Sequence, residues 1–185
     1  MKIITSLNEY LNQQSLNNIE NDIFIKWFGN SIVVDKNYNP LVVYHGSKNV
    51  FNVFDKDKFN LNEPSGDYIG CGFYFTTNKS KAMKYGSNII SAYLKIKNPL
   101  VINDYKEFEN MMIDIFGYDE KHKNIAKYHI LKKNSPITIM EKIVELGYDG
   151  LIDNLYNQYA VFQPNQMKSV DNDGSFDLDD DDIYS

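Results

Sequence analysis

Leu41-Val42-Val43-Tyr44-His45-Gly46-Ser47 is the stretch from which the fold is read. Its first four residues are apolar without interruption, the pattern of a buried strand, and a histidine followed by a glycine closes it. A second β-rich run, Ile32-Val33-Val34-Asp35, precedes it across Lys36-Asn37-Tyr38-Asn39-Pro40, a segment dense in turn formers. That spacing predicts a hairpin-like pair. Residues 1–30 read as a helical N-terminal segment of one or two helices. Ser6 with Glu9 makes a capping box, and Asp22 precedes Ile23-Phe24-Ile25-Lys26-Trp27-Phe28 with Gly29 as a stop.

Downstream, residues 48–72 mix Asn, Asp, Lys and Gly among Phe51, Phe54 and Phe59, which predicts a loop with aromatic anchors, of a kind that covers a site. Phe73-Tyr74-Phe75-Thr76 is a short strand, Asn78 caps a helix over 79–85, and Gly86 ends it. Strand pattern returns over 89–96 and in Leu100-Val101-Ile102. Asp104 with Glu107 opens a helix to about residue 117, and Ser135-Pro136 opens another that Gly147 stops. Leu151-Ile152 and Tyr159-Ala160-Val161-Phe162 flank the turn Asp153-Asn154-Leu155-Tyr156-Asn157, and a last strand falls near 167–170. Helices at the front and short strands with few helices between them predict an α+β fold, its sheet mostly antiparallel. The chain divides into the helical segment 1–30, a main domain 31–176 and an acidic tail 177–185, expected to be disordered or an interaction segment.

All 19 Lys+Arg cations are lysines; there is no arginine. Any mechanism built on a bidentate guanidinium clamp is excluded, because an ammonium is only a point charge. The 25 acidic residues leave a net charge of −6, which argues against a broad electrostatic grip on nucleic acid but leaves room for a local lysine patch. One cysteine, Cys71, forms no internal disulfide and excludes multi-cysteine zinc sites. It reads as a small buried residue. No stretch approaches a signal peptide or a membrane span, so a soluble, cytoplasmic protein without membrane partners is expected. His122 and His129 lie in a lysine-rich stretch with no third ligand nearby and read as solvated, and Asp171-Asn172-Asp173-Gly174 reads as a turn, so no metal site is expected.

Two places exceed what a core requires. His45-Gly46 ends the buried strand, where a glycine admits close backbone approach by a ligand. Tyr74 sits on the next strand, with Tyr85 eleven residues further on at the end of a short helix. Alone, each reads as packing. Together they outline a slot in which a planar ring stacks between aromatic faces while a backbone amide pair reads its carboxamide, a description that nicotinamide fits.

The ordered set His45-Gly46-Ser47, Gly70-Cys71-Gly72-Phe73-Tyr74-Phe75 with Ser80-Lys81-Ala82-Met83-Lys84-Tyr85, and Gln158-Tyr159-Ala160-Val161-Phe162 resembles the signature of the H-Y-E class of ADP-ribosyltransferases. That class includes the poly(ADP-ribose) polymerases and the diphtheria-toxin group. Pro40-Leu41-Val42-Val43-Tyr44-His45-Gly46, Gly147-Tyr148-Asp149-Gly150 and Phe162-x-Pro-x-Gln166-Met167-Lys168-Ser169 extend the likeness to the small ADP-ribosyltransferase domains of phage and mobile-element proteins, from about residue 22 to 177. The R-S-E class needs an arginine that this chain lacks. The resemblance implies a split, mostly antiparallel sheet and transfer of ADP-ribose from NAD, without a metal, to a protein or nucleic-acid acceptor. It implies that His45 bonds the adenosine-side ribose, that the Gly46 backbone, with Ser47 beside it, holds the carboxamide, and that Tyr74 and Tyr85 sandwich the nicotinamide. Ser47 reads equally as a turn residue. Asp153, Asn154, Leu155, Tyr156 and Asn157 would recognise the target, and Lys79, Lys81 and Lys84 could attract phosphates of NAD or of a nucleic-acid strand. The resemblance also leaves room for an antitoxin or inhibitor partner.

The pattern is departed from twice. Ala82 stands where many relatives carry a serine that bonds the carboxamide, a contact of about 0.5–1.5 kcal/mol. Gln158 stands where the class carries its catalytic glutamate, and an amide there keeps the shape without the charge. Loss of an oriented electrostatic stabiliser typically lowers a rate by about 10²–10³. Three explanations stay open: a deliberate Glu→Gln change, slightly favoured because the rest of the site is intact; a native residue of an enzyme with altered chemistry; and a silent binder of NAD or ADP-ribose. An NAD glycohydrolase is the remaining alternative.

Overall fold

The computed structural model describes residues 18–58, 71–117 and 134–185. The Ser6–Glu9 capping box, Phe59, His122 and His129 lie outside them. Helix α1 (Asn18–Phe28) ends at Gly29, whose φ of 55° and N–H bond to the Ile25 carbonyl (2.8 Å) turn the chain out of the helix. Phe24, Trp27 and Phe28, spaced three and four apart, are buried together against Tyr93 and Phe176, with Phe24 ring centroids 4.9 and 5.0 Å away.

Among the described residues seven strands, β1 (Val43–Ser47), β2 (Phe73–Thr76), β3 (Asn88–Leu94), β4 (Pro99–Ile102), β5 (Gly150–Asp153), β6 (Gln158–Val161) and β7 (Met167–Ser169), form a sheet in the order β4-β5-β6-β2-β1-β3-β7. Every pairing is antiparallel except β4 with β5. Those two strands are separated by helices α3 (Tyr105–Ile115) and α4 (Pro136–Glu145), the long connection that parallel neighbours require. The fold is therefore α+β with a mostly antiparallel sheet. The helix starts follow their caps: Asn78 accepts from the Lys81 N–H at the head of α2 (Lys79–Ala82), Asp104 from the Lys106 and Glu107 N–H groups, and Ser135 from that of Thr138.

The expected hairpin between 32–35 and 41–45 is reduced to one bridge, Val34 with Pro40. The Asp35 carboxylate ties the Asn37 and Asn39 N–H groups into a tight turn, while the Ile32 N–H is drawn to the Ile96 carbonyl instead. The acidic tail also departs from expectation. Ile183 is fully buried, and its carbonyl accepts from the Ser169 N–H at 2.7 Å, so residues 182–184 lie along β7.

One feature of the sheet positions the site. β1 pairs with β3 over five residues and β2 with β6 over four, but β1 meets β2 only at Tyr44 and Thr76. The sheet is thus two halves joined at one point, and they diverge where His45 and Gly46 stand.

Candidate functional site

His45 fills the split. Its Nδ1 lies 2.8 Å from the Tyr74 carbonyl, replacing a ladder bond that the diverging backbones no longer make. A carbonyl only accepts, so Nδ1 carries the hydrogen and the neutral ring presents Nε2 as an acceptor, unpaired among the described residues. Phe54, Phe75 and Phe51 surround the imidazole at 4.9, 5.5 and 6.2 Å between centroids. Burial among them lowers the histidine pKa below its ordinary 6.5, against the opposing pull of the Tyr74 carbonyl, which keeps the ring neutral near pH 7.

Alternation along the strands sorts the other residues. Tyr44 opposes Thr76, Thr76 opposes Gln158, and Gln158 opposes Asp153. Gly46, Tyr74, Gln158 and Asp153 therefore share one face, whereas His45 and Phe75 belong to the other. Helix α2 lies on the first face. A Cβ built on Gly46 would stand 1.8 Å from the Ala82 carbonyl oxygen, and one on Gly86 would stand 2.0 Å from the Ser47 carbonyl carbon. The missing side chain at Gly46 thus makes room for the protein's own helix and leaves the Gly46 main chain without a Cβ in front of it. Ala82, where the resemblance expects a serine, is buried in that contact. Tyr85, just beyond the helix, is 41 % exposed. Ser47 serves the turn, its Oγ accepting from the Asn49 N–H at 3.1 Å.

Tyr74 carries the clearest sign of an unfilled role. Its hydroxyl is buried without a hydrogen-bond partner among the described residues. Desolvation, then the nearby Cys71, Asp153 and Tyr105, push its pKa well above 10, so the group remains a neutral O–H. An orphaned buried hydroxyl is uncommon and calls for an explanation such as a ligand. Cys71 is buried too, its thiol pushed up to about 12 by desolvation, which makes it inert packing.

The β5–β6 turn is braced from within. Asp153, 3 % exposed, accepts from the Leu155 N–H (2.9 Å) and Tyr156 N–H (3.2 Å) through one oxygen and from the Tyr105 hydroxyl through the other. It is a buried anchor and does not reach outward. Asn154 is held by Asn103 (2.7 Å) and by the Ile102 carbonyl (3.0 Å), and Asn157 adopts a positive φ of 53°. Leu155 and Tyr156 stand half-exposed at the tip; Lys81 donates to the Tyr156 carbonyl at 3.3 Å, and the Tyr105 and Tyr156 rings meet at 5.8 Å. A tyrosine that opens a capped helix, as Tyr105 does, carries no sequence signal of this bracing role. Lys79 reaches toward the Tyr44 ring, 5.9 Å from its centroid.

A sheet parted at a histidine, with a tyrosine strand and a short helix followed by Tyr85 on one face, is the arrangement expected of an NAD-using ADP-ribosyltransferase. Over residues 35–176, most of its length, the sequence matches the family described as ADP-ribosyltransferase in polyvalent proteins, and the chain belongs to that family. No curated protein matches it. A solved structure, described as the crystal structure of an anti-CRISPR protein, is similar at 18 % identity and a TM-score of 0.34, over 65 % of this chain and 88 % of that one.

Proposed function

We propose that the protein is a mono-ADP-ribosyltransferase of phage or toxin-like type, acting in a host cytoplasm. It breaks the bond between nicotinamide and ribose of NAD and forms one between that ribose carbon and a nucleophile on a protein or nucleic acid, which gives up its proton. The observation that carries the reading is the His45 bond across the split, which uses Nδ1 and leaves Nε2 without a hydrogen-bond partner among the described residues.

NAD supplies the activated glycosidic carbon; the chain supplies the binding. The polar groups present fit such a ligand: a bare imidazole nitrogen for a ribose hydroxyl, and an orphaned Tyr74 hydroxyl beside a partly exposed ring. Tyr74 and Tyr85 hold the nicotinamide ring and the Gly46 backbone its carboxamide. Gln158, opposite Thr76 on the same face, bonds the hydroxyl of the nicotinamide-side ribose. Its amide orients that ribose but brings no negative charge to the carbon from which nicotinamide departs. This neutrality favours one further reading, a chain that holds NAD or ADP-ribose with little turnover. The acceptor meets the exposed tip, Leu155 and Tyr156, on the turn flanked by Asn154 and Asn157 and anchored by Asp153.

The test is incubation of the Gln158→Glu form with NAD labelled in the ADP-ribose moiety and a host lysate, followed by separation of protein, RNA and DNA. Label in one fraction, lost on substitution of His45 or Tyr74, supports transfer. Free ADP-ribose with no labelled macromolecule assigns a glycohydrolase, and unconsumed NAD with bound nucleotide assigns a binder.

A further inference from the structure

The motif Phe162-x-Pro-x-Gln166-Met167-Lys168-Ser169 takes no part in the chemistry above. Gln166 explains itself as a pin: it accepts from the Phe162 and Gln163 N–H groups and donates to the Lys95 and Asp149 carbonyls, tying the end of β6 to the end of β3. Lys168 does not explain itself so simply. It lies on the edge strand β7 with no exposed surface, and its Nζ donates to the carbonyls of Asp180 (3.0 Å) and Asp182 (2.7 Å) and to the Ser185 hydroxyl (3.3 Å). An ammonium cut off from water needs acceptors for all three of its hydrogens. Here all three come from one strap, residues 180–185.

The strap is clamped on its other side as well. The Ile183 N–H donates to the Asn52 carbonyl at 2.9 Å, Val53 and Asp182 form an antiparallel bridge, and the Asn52 side chain donates to the Asp182 carboxylate. Asn52 and Val53 sit between Phe51 and Phe54. Those two rings meet edge to face at 4.8 Å and form the walls around His45. A continuous path thus runs from the buried ammonium through two backbone contacts to the imidazole.

We propose that Lys168 is a positioning residue for His45: by gripping the 180–185 strap it fixes the 51–54 loop and, through Phe51 and Phe54, the ring whose Nε2 receives the ribose hydroxyl. The consequence for NAD rests on the function proposed above; the effect on the His45 ring does not.

The test uses the full chain carrying Lys168→Met, which fills a similar volume and leaves the Asp180 and Asp182 carbonyls without their donor. Ile183→Ala, which removes the apolar anchor but keeps the ammonium, is the milder second variant and decides the matter if the first does not fold. Three quantities are read: amide hydrogen exchange at 182–184 and 52–54, the ¹⁵N shifts of the His45 ring, and NAD affinity by calorimetry. Expected are faster exchange in both segments, loss of the His45 signature of a protonated Nδ1 and bare Nε2, and NAD binding weakened about tenfold, an ordinary size for coupling between sites. A strap that stays protected in both variants overturns the proposal, and so does a released strap with unchanged His45 ring shifts or unchanged NAD affinity. Absence of NAD binding by the unsubstituted chain overturns the NAD reading instead, and the ring shifts still decide the role of Lys168.

Discussion

Gly46→Ala is the perturbation whose size follows most directly from the geometry. The added Cβ would stand 1.8 Å from the Ala82 carbonyl oxygen and 2.6 Å from its carbon. Ordinary contact needs about 3.5 Å, so the two backbones must part by well over 1 Å. Both partners are main chain, one in a central strand and the other in α2, and no side chain can swing aside. Overpacking costs about 1–3 kcal/mol where side chains yield, and this site belongs at the upper end, near 3 kcal/mol. For a chain of this size that lowers the melting temperature by about 6–12 °C. Gly117→Ala is the control. Unlike Gly46 it has a positive φ (71°), and its added Cβ meets nothing within 4 Å among the described residues, so only backbone strain of about 1 kcal/mol applies. Calorimetric melting of both variants, with NAD titration of the folded Gly46→Ala protein, reads the result. Because α2 leads into Tyr85, NAD affinity should fall along with stability. A Gly46→Ala protein as stable as Gly117→Ala would refute the placement of α2 on β1.

Two further outcomes follow from the site. Protonation of His45 converts Nε2 from acceptor to donor, and its pKa lies below 6.5, so NAD affinity should be flat above about pH 7 and fall as pH drops through the lowered value. Stability moves the same way: between the folded pKa and 6.5 the unfolded chain binds more protons, so stability declines with falling pH across that window and levels off beneath it. NAD affinity that rises on acidification contradicts the tautomer assigned here. Asp153→Ala leaves the Leu155 and Tyr156 N–H groups and the Tyr105 hydroxyl without their acceptor, a loss of about 3 kcal/mol in urea denaturation. Asp153→Asn keeps an acceptor and should lose about 1 kcal/mol; equal stability of the two variants is the result against it.

Local signals were legible in the sequence because their causes are local. Asn78, Asp104 and Ser135 cap helices where their spacing from the following apolar residues requires, and Gly29 stops α1 because a glycine takes the positive φ without strain. The same holds for Asp153, whose turn-forming bonds reach only two and three residues ahead. What could not be read depends on partners distant in sequence. The split at His45 arises from a side chain 29 residues away from the carbonyl that it bonds. The use of Gly46 depends on where α2 lands. The run of aspartates at 179–182 reads as part of a disordered or interacting tail; yet it is the carbonyls of Asp180 and Asp182 that bind Lys168, and backbone groups leave no mark on composition.

The most direct measurement is the rate of nicotinamide release from NAD by the chain as it stands and by its Gln158→Glu form, at equal saturation. If Gln158 occupies the charge-stabilising position on the face shared with Tyr74 and Gly46, the carboxylate should raise the rate by about 10²–10³ while NAD affinity changes little. An unchanged or lower rate, with NAD bound equally well by both forms, would contradict the assignment of that face as the place where the glycosidic bond breaks.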